Sequence, residues 1–161
     1  MVKFGLELEE NKSRIVESGR YLASLKAKRG ESTRLGTFDF LGFTFYCGRT
    51  TKGNPWIMPK TSSKKFRQKV KEIKIWLYNN KEQKLGKLMY MLNVKLVGHY
   101  RYYGISFNSR MISNYKQQVR ELLYKVLNRR SEKKSYTREG FIEMMKYYKL
   151  VNPKIYYSLF C

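Results

Sequence analysis

Lys64, Arg67, Lys71 and Lys74 recur three and four residues apart, the spacing that places side chains along one stripe of a helix. Four cations in such a row suit one chemistry, the neutralisation of successive phosphates. Phe66, Val70, Ile73 and Leu77 mark a second stripe about 110° around the same helix. One face can therefore pack while an adjoining face meets a polyanion. Lys95, Arg101, Arg120 and Lys125 are further candidates for the same work on the helical segments that follow.

Covalent and metal chemistry is poorly provided for. The 161 residues contain a single Asp, Asp39, a single His, His99, and two distant cysteines, Cys47 and Cys161. A two-metal polymerase or nuclease needs several convergent carboxylates, and no predicted strand carries a close acidic pair. Glu7, Glu9 and Glu10 sit in a polar stretch that suits a solvated turn. Asp39, between Phe38 and Phe40, suits a hydrogen-bonding strand residue better than a metal ligand. His99 falls on the packed face of a predicted helix with no Ser or Cys beside it, which suits a core histidine. Cys47 before Gly48 suits a structural thiol. No Gly-Lys-Ser/Thr follows a glycine loop at phosphate-loop spacing, and no Cys/His pattern has zinc spacing. No catalytic residue, metal or other cofactor is expected on this chain.

Binding, by contrast, is abundantly provided for. Lys and Arg number 34 against 12 Asp and Glu, giving a net charge of +22 and a pI near 10.0. Residues 60–130 hold 18 of the basic residues and only 3 acidic ones. Such an excess points to a polyanionic partner. Fourteen Tyr within an aromatic fraction of 16% add flat rings that can stack on bases. Stacking by Tyr100 or Tyr102 and plain helix packing are both open. No apolar run reaches the roughly 18 residues of a membrane span, and the start lacks the apolar core of a signal peptide. The expected setting is intracellular, bacterial cytoplasm or an organelle, without secretion or membrane insertion.

The elements that must hold these residues divide into strands and helices. Residues 13–18 and 38–46 are β-prone, with a basic loop expected between them. Residues 47–60, with two Gly and two Pro, read as a loop and linker. A helix then starts from Ser62 or Ser63 and ends at Asn79-Asn80. A second carries Leu85, Leu88, Leu92, Leu96, His99 and Tyr103 on one face and ends at Gly104. Gly98 inside it predicts a close backbone approach or a bend. A third starts at Asn108 or Ser109, with Ile112, Tyr115, Val119, Leu122, Leu123 and Val126 facing inward. A shorter one covers about 138–149 behind Thr137, and Pro153 forces an extended tail. The expected class is α+β, with a short β-hairpin packed on a mainly α-helical bundle of three long helices plus a short fourth. The expected divisions are 1–59, 60–130 and 131–161.

Three stretches carry a family resemblance. "GLELEENKSRIVE" followed by "FDFLGFTF" resembles the last palm blocks of reverse transcriptases encoded by group II introns, where Glu-Lys-Thr precedes Phe-x-Phe-Leu-Gly-Phe. Lys12-Ser13 stands where the family has Lys-Thr. "LNVKLVGHYRYY" is similar to the family's Leu-Asn…Gly-Trp-x-x-Tyr-Tyr motif. Asn93, Gly98, Tyr102 and Tyr103 match, and His99 replaces the Trp. "NPKIYYSLF" is similar to a segment near the end of the maturase region. The likeness runs over nearly the whole chain.

The resemblance implies a primer-grip-like role for Lys12, Phe40, Leu41, Gly42 and Phe43, on a terminal palm fragment over 1–59. It implies a thumb, or maturase domain X, over 60–130 that grips intron RNA and a primer–template duplex in support of splicing and retromobility. The RNA-binding residues would be Lys64, Arg67, Lys71, Lys74, Lys95, Arg101, Arg120 and Lys125. The family's fingers and its catalytic palm with Tyr-x-Asp-Asp are expected before the point where this chain starts. No polymerase activity is therefore expected from this chain alone, and magnesium would be held by that palm and by RNA. Other readings stay open: a non-catalytic subunit that docks on a separate palm-containing chain, or a general structural RNA- or DNA-binding protein.

Overall fold

A computed structural model describes residues 19–30, 36–50, 52–130 and 135–159. Among them the element order is α1 (Arg20–Lys28), β1 (Phe38–Phe40), β2 (Phe43–Arg49), β3 (Pro55–Thr61), α2 (Ser63–Asn79), α3 (Leu85–Tyr103), α4 (Ser109–Asn128) and α5 (Arg138–Tyr147). The class is α+β, as expected, with a three-stranded antiparallel sheet in the order β1-β2-β3. Two compact units divide the chain. One comprises Met1–Phe40 and Phe45–Met58, the other Leu41–Thr44 and Pro59–Cys161. The expected strand at 13–18, and with it Lys12, lies outside the described residues.

The first unit differs from the sequence reading in two places. The expected basic loop contains helix α1. Its nine residues, RYLASLKAK, include no β-branched residue, Gly or Pro, so nothing local opposes a helix. Lys26 and Lys28 in the last turn complement the helix dipole, and Gly30, at φ 67°, follows in the left-handed conformation that commonly ends helices. The expected linker at 47–60 is instead the end of β2, a turn, and β3. The turn is closed by Thr50 N–H to Asn54 O (2.9 Å) and Gly53 N–H to Thr50 O (2.8 Å). Two prolines are tolerated in β3 because it is an edge strand and Pro55 is its first residue.

The stretch 38–46 is not one strand. Leu41 and Gly42, at φ 47° and 81°, break it into a hairpin. Two positive φ values in succession are what a type I′ two-residue turn requires, and that turn matches the twist of the flanking strands.

In the second unit, Ser62 caps α2 by accepting a hydrogen bond from Lys65 N–H (3.4 Å), and Asn80 ends it. Ile73 and Leu77 of α2 are buried, together with Leu88, Leu92, Leu96 and Tyr100 of α3 and Ile112, Val119, Leu123 and Val126 of α4. Each fully buried large aliphatic side chain contributes about 1.5–3 kcal/mol of transfer free energy, so these three helices carry the core. α4 packs against both α2 and α3. Thr137 caps α5 by accepting from Gly140 N–H (3.1 Å), and Phe141 meets the Tyr124 ring edge-on.

Two glycines behave differently from the sequence expectation. Gly104 ends α3, but at φ −80° rather than in the left-handed region. Its reason is crowding: a Cβ there would lie 2.3 Å from Tyr100 O and 2.4 Å from Lys154 O. The extended tail runs against it, with Tyr156 N–H donating to Gly104 O (2.7 Å) and a parallel bridge between Ile105 and Tyr157. Gly98 has the opposite surroundings. Nothing lies within 4 Å of a Cβ built there, so no element approaches it.

Candidate nucleic-acid interface

Lys64, Arg67, Lys71 and Lys74 are all exposed on α2. Arg67 Nε donates to the Ser63 carbonyl at 3.2 Å, which steadies the guanidinium against its own helix. The ion pairs among the described residues, Lys69–Glu72, Lys81–Glu82, Arg138–Glu121 and Lys146–Glu143, involve none of these four. The stripe therefore faces solvent without internal neutralisation.

The other four candidates do not extend this stripe. Lys95 of α3 lies with its ammonium 5.0 Å from the centre of the Trp76 ring, a cation–π distance. Arg101, farther along α3, lines a separate groove with Tyr90, Val94 and Lys149. Arg120 joins Lys116, Lys146 and Lys149 in a basic hollow between α4 and α5, where Lys116 Nζ donates to Asn152 Oδ1 at 2.6 Å. Lys125 is exposed in the last turn of α4. The basic surface is thus several patches rather than one track.

Sequence reasoning missed two groups of cations. Lys65 and Lys69, four residues apart, lie on the flank of α2 opposite the predicted stripe, about 90° from the apolar face at 100° per residue. Lys116, Lys146 and Lys149 complete the hollow around Arg120. The three- and four-residue spacings were visible in each case, but only folding brings α4 and α5 together.

Lys65 and Lys69 line a groove of about 690 Å³ between α2 and α3. At one end a Cβ on Gly42 would lie 3.2 Å from Tyr103 Oη and 3.4 Å from Lys65 Cγ. At the other end Trp76 meets Lys95. These two contacts make α2 and α3 antiparallel along the groove. Its floor is aromatic. The His99 ring stacks on Tyr115 at 3.7 Å and 15°, and lies 4.7 Å from the Tyr103 ring. Burial, and then the Lys69 charge, push the His99 pKa down to about 4, so the ring is neutral near pH 7. Burial likewise raises the phenols of Tyr103 and Tyr115. The hydrogen bond from Lys69 holds the Glu72 carboxyl below its usual range.

The hairpin tip closes this groove. Tyr102 Oη donates to Leu41 O at 2.9 Å, and Ser62 N–H donates to Gly42 O at 2.9 Å. Phe43 is buried with its ring parallel to Tyr102 at 6.0 Å and tilted on Tyr103 at 5.3 Å. Phe40 and Leu41 remain exposed. Two motifs singled out separately in the sequence, Phe-x-Phe-Leu-Gly-Phe and the Tyr-Tyr pair, are therefore physically joined. Tyr102 is 53% exposed, whereas Tyr100 is fully buried. Of the two candidate stacking rings, Tyr100 belongs to the core and cannot meet a base.

One buried polar residue sets the frame. Asn108, fully buried at the start of α4, accepts from Thr61 N–H through Oδ1 (2.8 Å). Its amide donates to Thr61 Oγ1 and to Tyr103 O, both at 2.8 Å. This side chain ties the end of β3 and the last turn of α3 to the first turn of α4. From the sequence it is only a possible start of the third bundle helix.

No group of three or more His, Cys, Asp or Glu that could hold a metal ion occurs among the described residues. No helix among them is long and apolar enough to cross a membrane. Residues 63–148 match the family model described as group II intron, maturase-specific domain. No curated protein and no solved structure matched the chain.

Proposed function

Because this chain belongs to the family of the group II intron maturase-specific domain, a maturase role in splicing is its setting, and we propose that it grips intron RNA chiefly through phosphates. Lys64, Arg67, Lys71 and Lys74 track the backbone along α2, and the hollow around Arg120 supplies a second contact. The hairpin tip of Phe40, Leu41, Gly42 and Phe43, the residues implied as primer-grip-like, lies beside a duplex held on the helices of residues 60–130, the thumb. A primer–template duplex is the second ligand of this surface, in support of retromobility. With Asp39 as its single Asp, the chain has no polymerase activity by itself. A palm-containing chain supplies that chemistry where it occurs.

The observation that carries this reading is the coincidence of the family match with an exposed, unpaired cationic stripe. A-form RNA is recognised largely by shape and backbone, so dense cations with few base-reading amides are an adequate equipment. The test is competition at fixed salt. A group II intron RNA should outcompete a ribosomal RNA fragment or a DNA duplex of equal length by about tenfold, and the chain should accelerate splicing of that intron. Equal competition by all three would reduce the protein to a general polyanion binder.

A further inference from the structure

We infer that the groove between α2 and α3 is a site for a short run of unpaired RNA nucleotides, distinct from the phosphate-tracking stripe on the opposite flank of α2. The inference rests on the RNA-binding reading above and adds a second, single-stranded mode to it. Two observations converge. The groove carries three ammonium groups, Lys65, Lys69 and Lys95, against the one carboxylate of Glu72, which Lys69 already neutralises. It offers two aromatic walls, the half-buried Trp76 and the exposed Tyr102.

The span from Lys65 to Trp76 is eleven helical residues, or about 16 Å at 1.5 Å per residue, so the cations and the two rings lie along one open groove. Bases of a duplex are stacked on one another and present no free face, whereas unpaired bases can stack on aromatic side chains. Cations beside stacking rings are the equipment by which sequence-tolerant single-strand binding works. A base arriving at Trp76 takes the place of the Lys95 ammonium on that ring and leaves the ammonium for the adjoining phosphate.

Gly98 lines this groove as well as the one around Arg101, and a Cβ there meets nothing within 4 Å. Glycine inside a helix costs roughly 0.5–1 kcal/mol relative to alanine, and here no neighbouring chain requires it.

The experiment uses the full chain with Trp56→Phe, so that Trp76 is the single tryptophan. A single-stranded hexanucleotide of RNA should quench Trp76 fluorescence on binding, and a blunt RNA duplex of equal charge should bind without quenching. Gly98→Met should weaken the hexanucleotide about tenfold, the value of losing one stacked base, and leave duplex affinity within about twofold. Gly98→Ala, which keeps most of the space, should retain the hexanucleotide and confirm that the helix tolerates a side chain there. Equal quenching by duplex, equal quenching by an acidic peptide, or an unchanged hexanucleotide affinity in Gly98→Met would each overturn the site. Loss of intron preference with quenching intact would strike the functional reading instead, so the two failures are distinguishable.

Discussion

The Tyr102 hydroxyl donates a 2.9 Å hydrogen bond to the carbonyl of Leu41, a leucine held at φ +47°. A non-glycine residue in the left-handed region carries about 1–2 kcal/mol of strain. Leu41 is also 68% exposed, so packing does not repay that cost. The strain is held by its neighbours, Tyr102 on the Leu41 carbonyl and Ser62 on the Gly42 carbonyl.

Leu41→Asn tests this directly. Asn-Gly is the preferred pair for a type I′ turn, so the variant should be more stable by about 0.5–1 kcal/mol, or a rise in Tm of roughly 2 °C. The same variant should bind the single-stranded hexanucleotide more weakly. Thermal melts and the fluorescence titration read the two effects, and a lowered Tm would contradict the strain argument.

His99 predicts an acid-sensitive fold. Its folded pKa of about 4 lies below the ordinary 6.5, so between those values the unfolded chain binds the extra proton. Stability is therefore complete above about pH 6.5 and declines as pH falls towards 4, by at most about 3 kcal/mol. His99→Phe, which can keep the stacking on Tyr115, should flatten the dependence of unfolding free energy on pH across that window. Urea titrations at pH 7, 6, 5 and 4.5 would show it, and an equally steep variant would assign the dependence to other groups.

Asn108 should be among the costliest polar residues to replace. Asn108→Ala strands the Thr61 N–H away from water and removes one of the two bonds to the Tyr103 carbonyl, which keeps the one from Ile105 N–H; a buried unsatisfied group costs about 1–3 kcal/mol. A loss of about 2 kcal/mol is expected from chemical denaturation. Since the residue is fully buried, the folded fraction should keep the salt dependence of RNA binding unchanged.

The α2 stripe makes a prediction in salt. With about five phosphates neutralised, the slope of log K against log salt should be roughly −3.5 to −4.5. Lys64, Arg67, Lys71 and Lys74 changed together to Ala should remove about 3 from that slope. All four are exposed, so Tm should move by no more than a degree or two. A variant that binds RNA with the parental slope would take this face of α2 out of the interface.

Much of this protein was legible in its residue order. The apolar period of 3.6 marked α2, α3, α4 and α5, because each buries one stripe and the stripe is written in the spacing of Ile73 and Leu77, or of Leu88, Leu92 and Leu96. Ser62 and Thr137 marked their own helix starts through side-chain capping, a local interaction. The charge excess, and its concentration on residues 60–130, needed no structure at all. Elements that depend on weaker local signals were harder. α1 was hidden between Gly19 and Gly30, and β3 behind its two prolines, since a proline is excluded from a strand only if its neighbour needs the missing N–H.

Residue order alone specifies α2 to α5, the inward stripe of each and a cationic exterior, since these follow from periodicity and composition within single segments; α1 and β3 it leaves unmarked. Folding settles which of those cations share a surface, that Leu41 and Tyr102 meet, and that Gly98 opens onto space instead of a neighbour. The cause is distance along the chain: periodicity reports how a segment is oriented towards a core, while a groove is made by residues sixty positions apart whose approach no local pattern encodes.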